Sequence, residues 1–443
     1  MLNYVAAKRL KRGNLTVVDA TNVQREARKP LLALAREHNV LPVAVVLDLP
    51  EKLCHERNQD RPDRDFGPHV VRRQNKQLRR SLKGLKKEGF RHVAVLSSPE
   101  EVAEAVFGRR RSWNNLKHEP GPFDIIGDVH GCAEELLELL DKLGYEVSIS
   151  DGGEYAVHPP EGRKAILLGD LVDRGPKTPE VLRLVMGMVE SGTALAVPGN
   201  HDVKLVSKLR GRDVKVAHGL ADTLAQLEEE PPEFVERAAE FLGGLIGHYV
   251  LDGGELVVAH AGMKEEFQGR ASGKVRDFAL FGETTGETDE FGLPVRHDWA
   301  AEYRGAATVV YGHTPVPEAG WVNRTINVDT GCAFGGKLTA LRYPENEIVS
   351  VPARHTYYEP VKPFLAEDEA APSPVEKRPH DDLLDVEDVT GKRIISTRYS
   401  RNVTIREENA AAALEVMSRF AVDPRWLVYL PPTMSPSETS QRP

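Results

Sequence analysis

Residues 124–131 read DIIGDVHG, and residues 164–175 read KAILLGDLVDRG. Each starts as a short apolar run and ends in a glycine-flanked polar loop. The first loop carries Asp128 and His130; the second carries Asp170, Asp173 and Arg174. Short apolar runs bounded by Gly and Pro read as buried strands. An Asp and a His two residues apart also occur in ordinary solvated turns, so one octet decides nothing. Repetition decides. ALAVPGNHD (194–202), ELVVAHAG (255–262), ATVVYGHT (307–314) and TINVDTG (325–331) have the same form.

Helix-like segments lie between the first strands, AEELLELLDKL after Cys132 and TPEVLRLVMGMVE after Lys177. This alternation predicts an α/β domain. In such sheets ligands gather beyond the carboxyl ends of strands, where every polar cluster above is placed. The side chains so collected are Asp128, His130, Asp170, Asp173, Arg174, Asn200, His201, His260, His313 and Asp329. Carboxylates, imidazoles and one amide oxygen suit divalent metals of the Mn, Fe or Zn kind, not a thiolate zinc site. The glycines of these loops allow sharp turns and close approach of a bulky anion.

The rest of the chain sets limits. Its 443 residues are 40% apolar and 28% charged, which fits two or three soluble domains with real cores. No run approaches a membrane span, and the basic N-terminus is not a secretory signal. Cys54, Cys132 and Cys332 fit neither a disulfide framework nor a zinc ribbon, which points to a reducing compartment, the cytoplasm. A net charge of -9 argues against wholesale coating of nucleic acid but leaves room for a local basic site. Such a run exists between Arg72 and Arg91, with nine Lys or Arg against Glu88 alone. It reads equally as a solvated helix surface or as an anion-facing one.

GDVHG, GDLVDRG, GNHD, HAG and GHT, in this order, resemble the signature set of the calcineurin-like metallophosphoesterases, especially the phosphoprotein phosphatase branch. The resemblance spans roughly residues 121–355 and implies a central β-sandwich flanked by helices. It implies that Asp128 and His130 hold one metal, that Asp170 bridges, and that Asn200, His260 and His313 complete the second site. Two divalent ions are implied, Mn²⁺ first and Fe, Zn, Ni or Co after it. Arg174 would clamp phosphate, His201 would act as general acid oriented by Asp173, and Asp329 would be a further active-site acid.

The flanks also carry resemblances. VVDATNVQ (17–24) and HERNQDRPDRDFGPHVVRRQ (55–74) are similar to parts of a P-loop polynucleotide kinase module, and the stretch from DVEDVTGK (385–392) onward resembles the opening of an RNA-ligase-like nucleotidyltransferase. Together these resemble the layout of bacterial polynucleotide kinase-phosphatases, which heal RNA ends. The expected division is a partial kinase module at 1–117, the phosphoesterase at 118–358, a Pro-rich linker at 359–384, and a ligase-like piece with a disordered Ser/Thr/Pro-rich tail at 385–443.

There are departures from that layout. No G-x-x-x-x-G-K-[ST] loop precedes Val17, and no ligase lysine motif is reached, so kinase and ligase activities are not expected of this chain. The near miss GCAFGGKL (331–338) lacks the hydroxyl and is read as a glycine-rich turn. The expectation is a truncated or split product, with a partner chain able to supply the missing phosphate loop or ligase. No membrane partner is expected, and homo-oligomerisation is left open. GETTGETDEFG (282–292) is read as a surface loop, and Lys8, Arg9, Lys11 and Arg12 as the end of a helix.

The first functional expectation is removal of 2′-, 3′- or 2′,3′-cyclic phosphates from RNA ends. The alternative is a protein phosphatase or dinucleoside polyphosphate hydrolase on the same core. A non-catalytic remnant comes third, because the ligand set is complete.

Overall fold

The computed structural model describes residues 2–60, 66–108, 111–150 and 155–362, and beyond them only three backbone strands, Leu383–Val389, Lys392–Thr397 and Val403–Ile405. The expected linker at 359–384 and the ligase-like piece at 385–443 therefore lie almost wholly outside the described residues.

Two mixed sheets face each other. The first has five strands, in the order Glu347–Pro352, Lys337–Tyr343, Phe123–Ile126, Lys164–Leu167 and Ala194–Ala196. The last three of these run parallel. The second has six, in the order Gly320–Val322, Thr325–Asn327, Thr308–Tyr311, Leu256–Ala259, His248–Leu251 and Asn115–Leu116. It too contains a parallel trio, formed by Leu256–Ala259, Thr308–Tyr311 and Thr325–Asn327.

Strand periodicity explains the layering. Phe123, Ile125, Ile166, Leu256, Val258, Val310 and Ile326 pack together in the layer between the sheets. Ile126, Ala165 and Leu167 point the other way, onto the helices Ala133–Leu143 and Thr178–Glu190. On the far side Val257, Ala259 and Val309 meet Phe278 and Trp299. Parallel strands covered on both faces have no solvent side, so these segments read as continuous apolar runs. Burying each large apolar side chain is worth about 1.5–3 kcal/mol, so the inter-sheet layer and the sheet–helix layer together anchor the loops above them. Both expected helices form over the residues the sequence indicated.

The N-terminal part contains the helices Leu2–Lys11, Arg25–Glu37, Glu51–Gln59 and Pro68–Ser81 beside one parallel pair, Val43–Leu47 with His92–Leu96. Lys8, Arg9 and Lys11 do lie in the last turn of the first helix. The N-terminal part touches the two-sheet region where Arg270 Nη2 donates to Leu10 O at 2.8 Å and Ser272 Oγ donates to Asn39 Oδ1 at 2.9 Å. Among the described residues no helix is long and apolar enough to cross a membrane.

One sequence reading needs correction. The 282–292 segment is not simply a loop: Thr284–Thr288 pairs antiparallel with Pro294–Arg296 as an exposed hairpin. Its threonines favour extended backbone, and Gly286, at φ +85°, accommodates the register shift between them. The GCAFGGKL stretch forms a tight turn with Phe334 N and Gly336 N both donating to Gly331 O. A strand follows it, not the helix that a phosphate loop requires.

Candidate metal centre and active site

Six parallel strands, three from each sheet, end at one place. Asp128 follows Phe123–Ile126, Asp170 follows Lys164–Leu167, and Asn200 follows Ala194–Ala196. From the other sheet come His260 after Leu256–Ala259, His313 after Thr308–Tyr311, and Asp329 after Thr325–Asn327. The loops are tight. Of the ten non-glycine residues with positive φ among those described, His130, Asp170, Asp173, Arg174 and His313 are five, so the backbone's unfavourable conformations gather here. Gly199 and Gly312 admit no side chain: a Cβ would come 2.0 Å from Asp170 Oδ1 in one case and 2.2 Å from Asp128 Oδ1 in the other.

Asp170 sits at the centre. Its Oδ2 lies 3.6 Å from His130 Nε2 and 3.5 Å from His260 Nε2, while Oδ1 accepts from the His201 N–H at 2.9 Å. The two imidazoles are fixed from behind. His130 Nδ1 donates to Val172 O, and His260 Nδ1 to Leu168 O, each at 2.9 Å. With the proton on Nδ1, both Nε2 lone pairs face inward, as metal-binding histidines require. His260 Nε2 also stands 2.9 Å from His313 Nδ1 and 3.1 Å from Asn200 Oδ1. His260 Nε2, His313 Nδ1 and Asn200 Oδ1 thus converge on one another, and His313 Nε2 is buried without a partner among the described residues. A divalent cation relieves this convergence, so the donor set fits one.

Charge points the same way. Asp128 is pushed up by burial and by the neighbouring Asp329 and Asp170. Asp170 rises to about 7, mainly by burial, and Asp329 rises for the same reason. Burial takes His260 down to about 4. Buried carboxylates crowded together need positive charge, and neutral imidazoles are the ligating form.

All ten predicted residues come together here, with one difference in grouping. The donor atoms of His130, Asp170 and His201 form one tight set and those of Asp170, His260 and His313 another. Asp128 stands beside them, its Oδ2 accepting from the His313 N–H at 3.1 Å. Arg174 spreads its fork over two rings, Nη1 2.6 Å from His130 Nε2 and Nη2 3.0 Å from His201 Nε2.

Sequence reasoning missed three supporting residues. Asp202 accepts from Gly199 N at 2.8 Å and from Leu171 N at 2.9 Å, so it ties two ligand loops together. It was visible as the last letter of GNHD. The Thr223 hydroxyl accepts from Asp173 N at 3.0 Å, and the Phe334 ring lies 4.6 Å from Arg174 Cζ. Neither residue sits in a motif that reveals these contacts.

Comparison with known proteins agrees with the geometry. Residues 121–317 match the model of the calcineurin-like phosphoesterase family. Residues 1–85 match an AAA domain, and residues 412–443 match a PNKP adenylyltransferase domain, ligase domain. Bis(5′-nucleosyl)-tetraphosphatase PrpE of Anoxybacillus flavithermus is 46% identical over 247 residues, 55% of this chain and 99% of that protein. The Bacillus subtilis protein of the same name is 50% identical over 241 residues, 54% of this chain and 97% of its own. A protein serine/threonine phosphatase structure from Saccharomyces cerevisiae aligns at 13% identity and TM-score 0.39 over 54% of this chain and 82% of its own, too distant to add to the assignment. The chain belongs to the calcineurin-like phosphoesterases, hydrolases whose His/Asp cluster here has the donors of a metal centre.

Proposed function

We propose that this phosphoesterase removes or cleaves phosphate groups carried by nucleotides, with dinucleoside polyphosphates as the first substrate class. One observation carries the reading: almost the full length of two bis(5′-nucleosyl)-tetraphosphatases matches this chain at 46–50% identity. In the sequence reading the core motifs leave RNA ends and the protein phosphatase or dinucleoside polyphosphate alternative unseparated, and only the flanking resemblances favour RNA ends. These relatives favour the dinucleoside polyphosphate. RNA 2′-, 3′- and 2′,3′-cyclic ends are the second reading, favoured by the AAA-domain and PNKP ligase-domain matches on either side of the core.

In this proposal Asp128, His130, Asp170, Asn200, His260 and His313 hold two divalent cations, Mn²⁺ first among candidates. When bound, such ions supply Lewis-acid stabilisation of phosphoryl oxygens. The chain's own groups do the rest. Arg174 turns its planar fork from the two imidazoles onto the phosphoryl oxygens, a bidentate grip that lysine lacks. Asp173 holds His201 through Nδ1, so that Nε2 faces the departing oxygen. Water adds at phosphorus and gives up a proton to solvent, the P–O bond to the leaving group breaks, and that oxygen takes a proton from His201 Nε2. His201 regains one from solvent before the next turnover. Asp329, beside Asp128, completes the acidic wall.

The test is a substrate panel on the purified full chain with Mn²⁺: diadenosine tetraphosphate, RNA ending in 2′- or 2′,3′-cyclic phosphate, and a phosphoserine peptide. The largest kcat/KM on the dinucleotide supports the first reading, and the largest on RNA replaces it with the second. Preference for the phosphopeptide ends both.

A further inference from the structure

A second cluster lies behind the metal centre and shares no residue with it. Cys132 precedes the helix Ala133–Leu143, Glu135 is in its first turn, and Cys332 belongs to the turn after Asp329. All three are buried, at 0%, 0% and 1% exposure. One donor atom from each lies within 4.8 Å of the other two. Metal–sulfur bonds of about 2.3 Å bring donors within roughly 4.6 Å of each other, so little movement separates this arrangement from a coordination shell.

Thiols in a core are often only small apolar fillers. That reading accounts for the cysteines but not for Glu135. Its Oε1 accepts from Arg354 N at 3.0 Å and from Tyr357 Oη at 2.8 Å, whereas Oε2 is buried with no partner. A carboxylate left so deep is costly unless it meets a positive charge. Around it, among the described residues, are two sulfurs and no basic side chain within hydrogen-bond distance.

We propose that Cys132, Glu135 and Cys332 bind one thiophilic divalent metal, Zn²⁺ first, separate from the catalytic centre. Binding releases the two thiol protons to solvent and leaves two thiolates and one carboxylate on the ion. Sulfur donors select against Mn²⁺ and Mg²⁺, whereas the nitrogen and oxygen donors of the catalytic cluster do not. Arg354 and Tyr357 orient the carboxylate from behind, as outer partners of metal ligands do. The role is positional. The ion ties the loop bearing Asp128 and His130 to the turn bearing Phe334, whose ring underlies Arg174.

The experiment strips the full chain of metal by chelation under reducing conditions, then titrates it with Co²⁺ while absorption and bound cobalt are measured. A sulfur-to-cobalt charge-transfer band can arise only from cysteine, so the His/Asp centre does not contribute to it. The expected result is such a band, accompanied by one more equivalent of cobalt per chain than Cys332→Ser takes, and lost in both Cys132→Ser and Cys332→Ser. Far-ultraviolet circular dichroism checks that the variants fold, and the unsubstituted chain is decisive even where they do not. A folded chain without the band overturns the proposal, as does a band that survives both substitutions through Cys54. Peptide mapping that finds Cys132 and Cys332 joined as a disulfide after purification under reducing conditions also overturns it.

Discussion

Nδ1 of His201 lies 2.6 Å from Oδ2 of Asp173, with both side chains buried. Burial drives both toward their neutral forms. It raises Asp173 to about 7, and it takes His201 well below its ordinary value, helped by Arg174 and His130. The pair is poised to share one proton, and an arriving phosphate anion favours placing it on the imidazole. His201→Ala should lower kcat by about 10²–10⁴-fold on a ribonucleoside 2′-phosphate, whose leaving oxygen needs a proton. Release from p-nitrophenyl phosphate should change far less, and a dinucleoside polyphosphate should fall between. Equal losses on all three would show that His201 is not the acid.

Asp170 bridges the gap between the inward nitrogens of His130 and His260. Asp170→Ala removes the carboxylate shared by both tight donor sets and the acceptor of the His201 N–H. Turnover should fall to near background, together with metal content measured on the same sample. A variant that keeps near-native activity and metal would disprove the central position of this carboxylate in the chemistry.

Chelation should abolish turnover, and Mn²⁺ added in excess over the chelator should restore it. The buried carboxylates Asp128, Asp170 and Asp329 crowd together, and the Arg174 guanidinium is the cationic side chain that acts on all three. Thermal melting should show the same dependence, since a ligand bound only by the folded state raises stability with its concentration. Full activity in a chelator-treated, metal-free sample would rule out a metal-dependent reaction.

How far the sequence could be read depends on where its information sits. The strands and their polar ends were legible because parallel strands covered on both faces give unbroken apolar runs, and the loops that follow concentrate Asp, His and Gly. The ten site residues follow from that grammar. Thr223 was not legible, because its contact with Asp173 N joins residues fifty positions apart without a motif at either end. Phe334 was hidden in the same way, inside a glycine-rich turn that attracts attention for its glycines. The hairpin of Thr284–Thr288 with Pro294–Arg296 is not legible, because the Gly and acidic residues of 282–292 mask three β-branched threonines. The grouping of His201 with His130 and Asp170 depends on side-chain directions that spacing does not encode.

The N-terminal part should respond to acid through one pair. Arg28 Nη2 meets Glu88 Oε1 at 2.6 Å with both side chains nearly buried, at 5% and 9% exposure. The hydrogen bond from Arg28 holds Glu88 below the usual carboxylate range. The folded state therefore takes up that proton less readily than the unfolded chain. The stability contributed is present above the ordinary Glu value of about 4.3 and is lost as pH falls through the depressed one. Arg28→Ala leaves the Glu88 carboxylate without its charged partner and should cost about 1–3 kcal/mol. Hydrogen exchange over Arg25–Glu37 reads this locally. In the variant, protection should drop at neutral pH and lose its dependence on acid in that window. Unchanged exchange at neutral pH would show that the pair stabilises nothing.

Arg174 is the residue on which the two halves of the site depend together. Its fork reaches His130 on one side and His201 on the other, and its guanidinium plane lies over Phe334. A lysine keeps the charge but loses the planar pair of donors and much of the stacking. Hydrogen bonds to charged groups are worth about 1.5–3 kcal/mol, so Arg174→Lys should lower kcat/KM by roughly 10- to 100-fold. The division between constants is informative. If the fork grips phosphoryl oxygens more tightly as charge develops, the loss appears in kcat with KM little changed. A loss confined to KM would make Arg174 a binding residue with no preference for the transition state. Phe334→Leu, which keeps apolar bulk without the ring face, should weaken the same step by a smaller factor and leave metal content intact. If Arg174→Lys is as active as the parent chain, the bidentate clamp is wrong, and the contacts to His130 and His201 are the end state of this side chain.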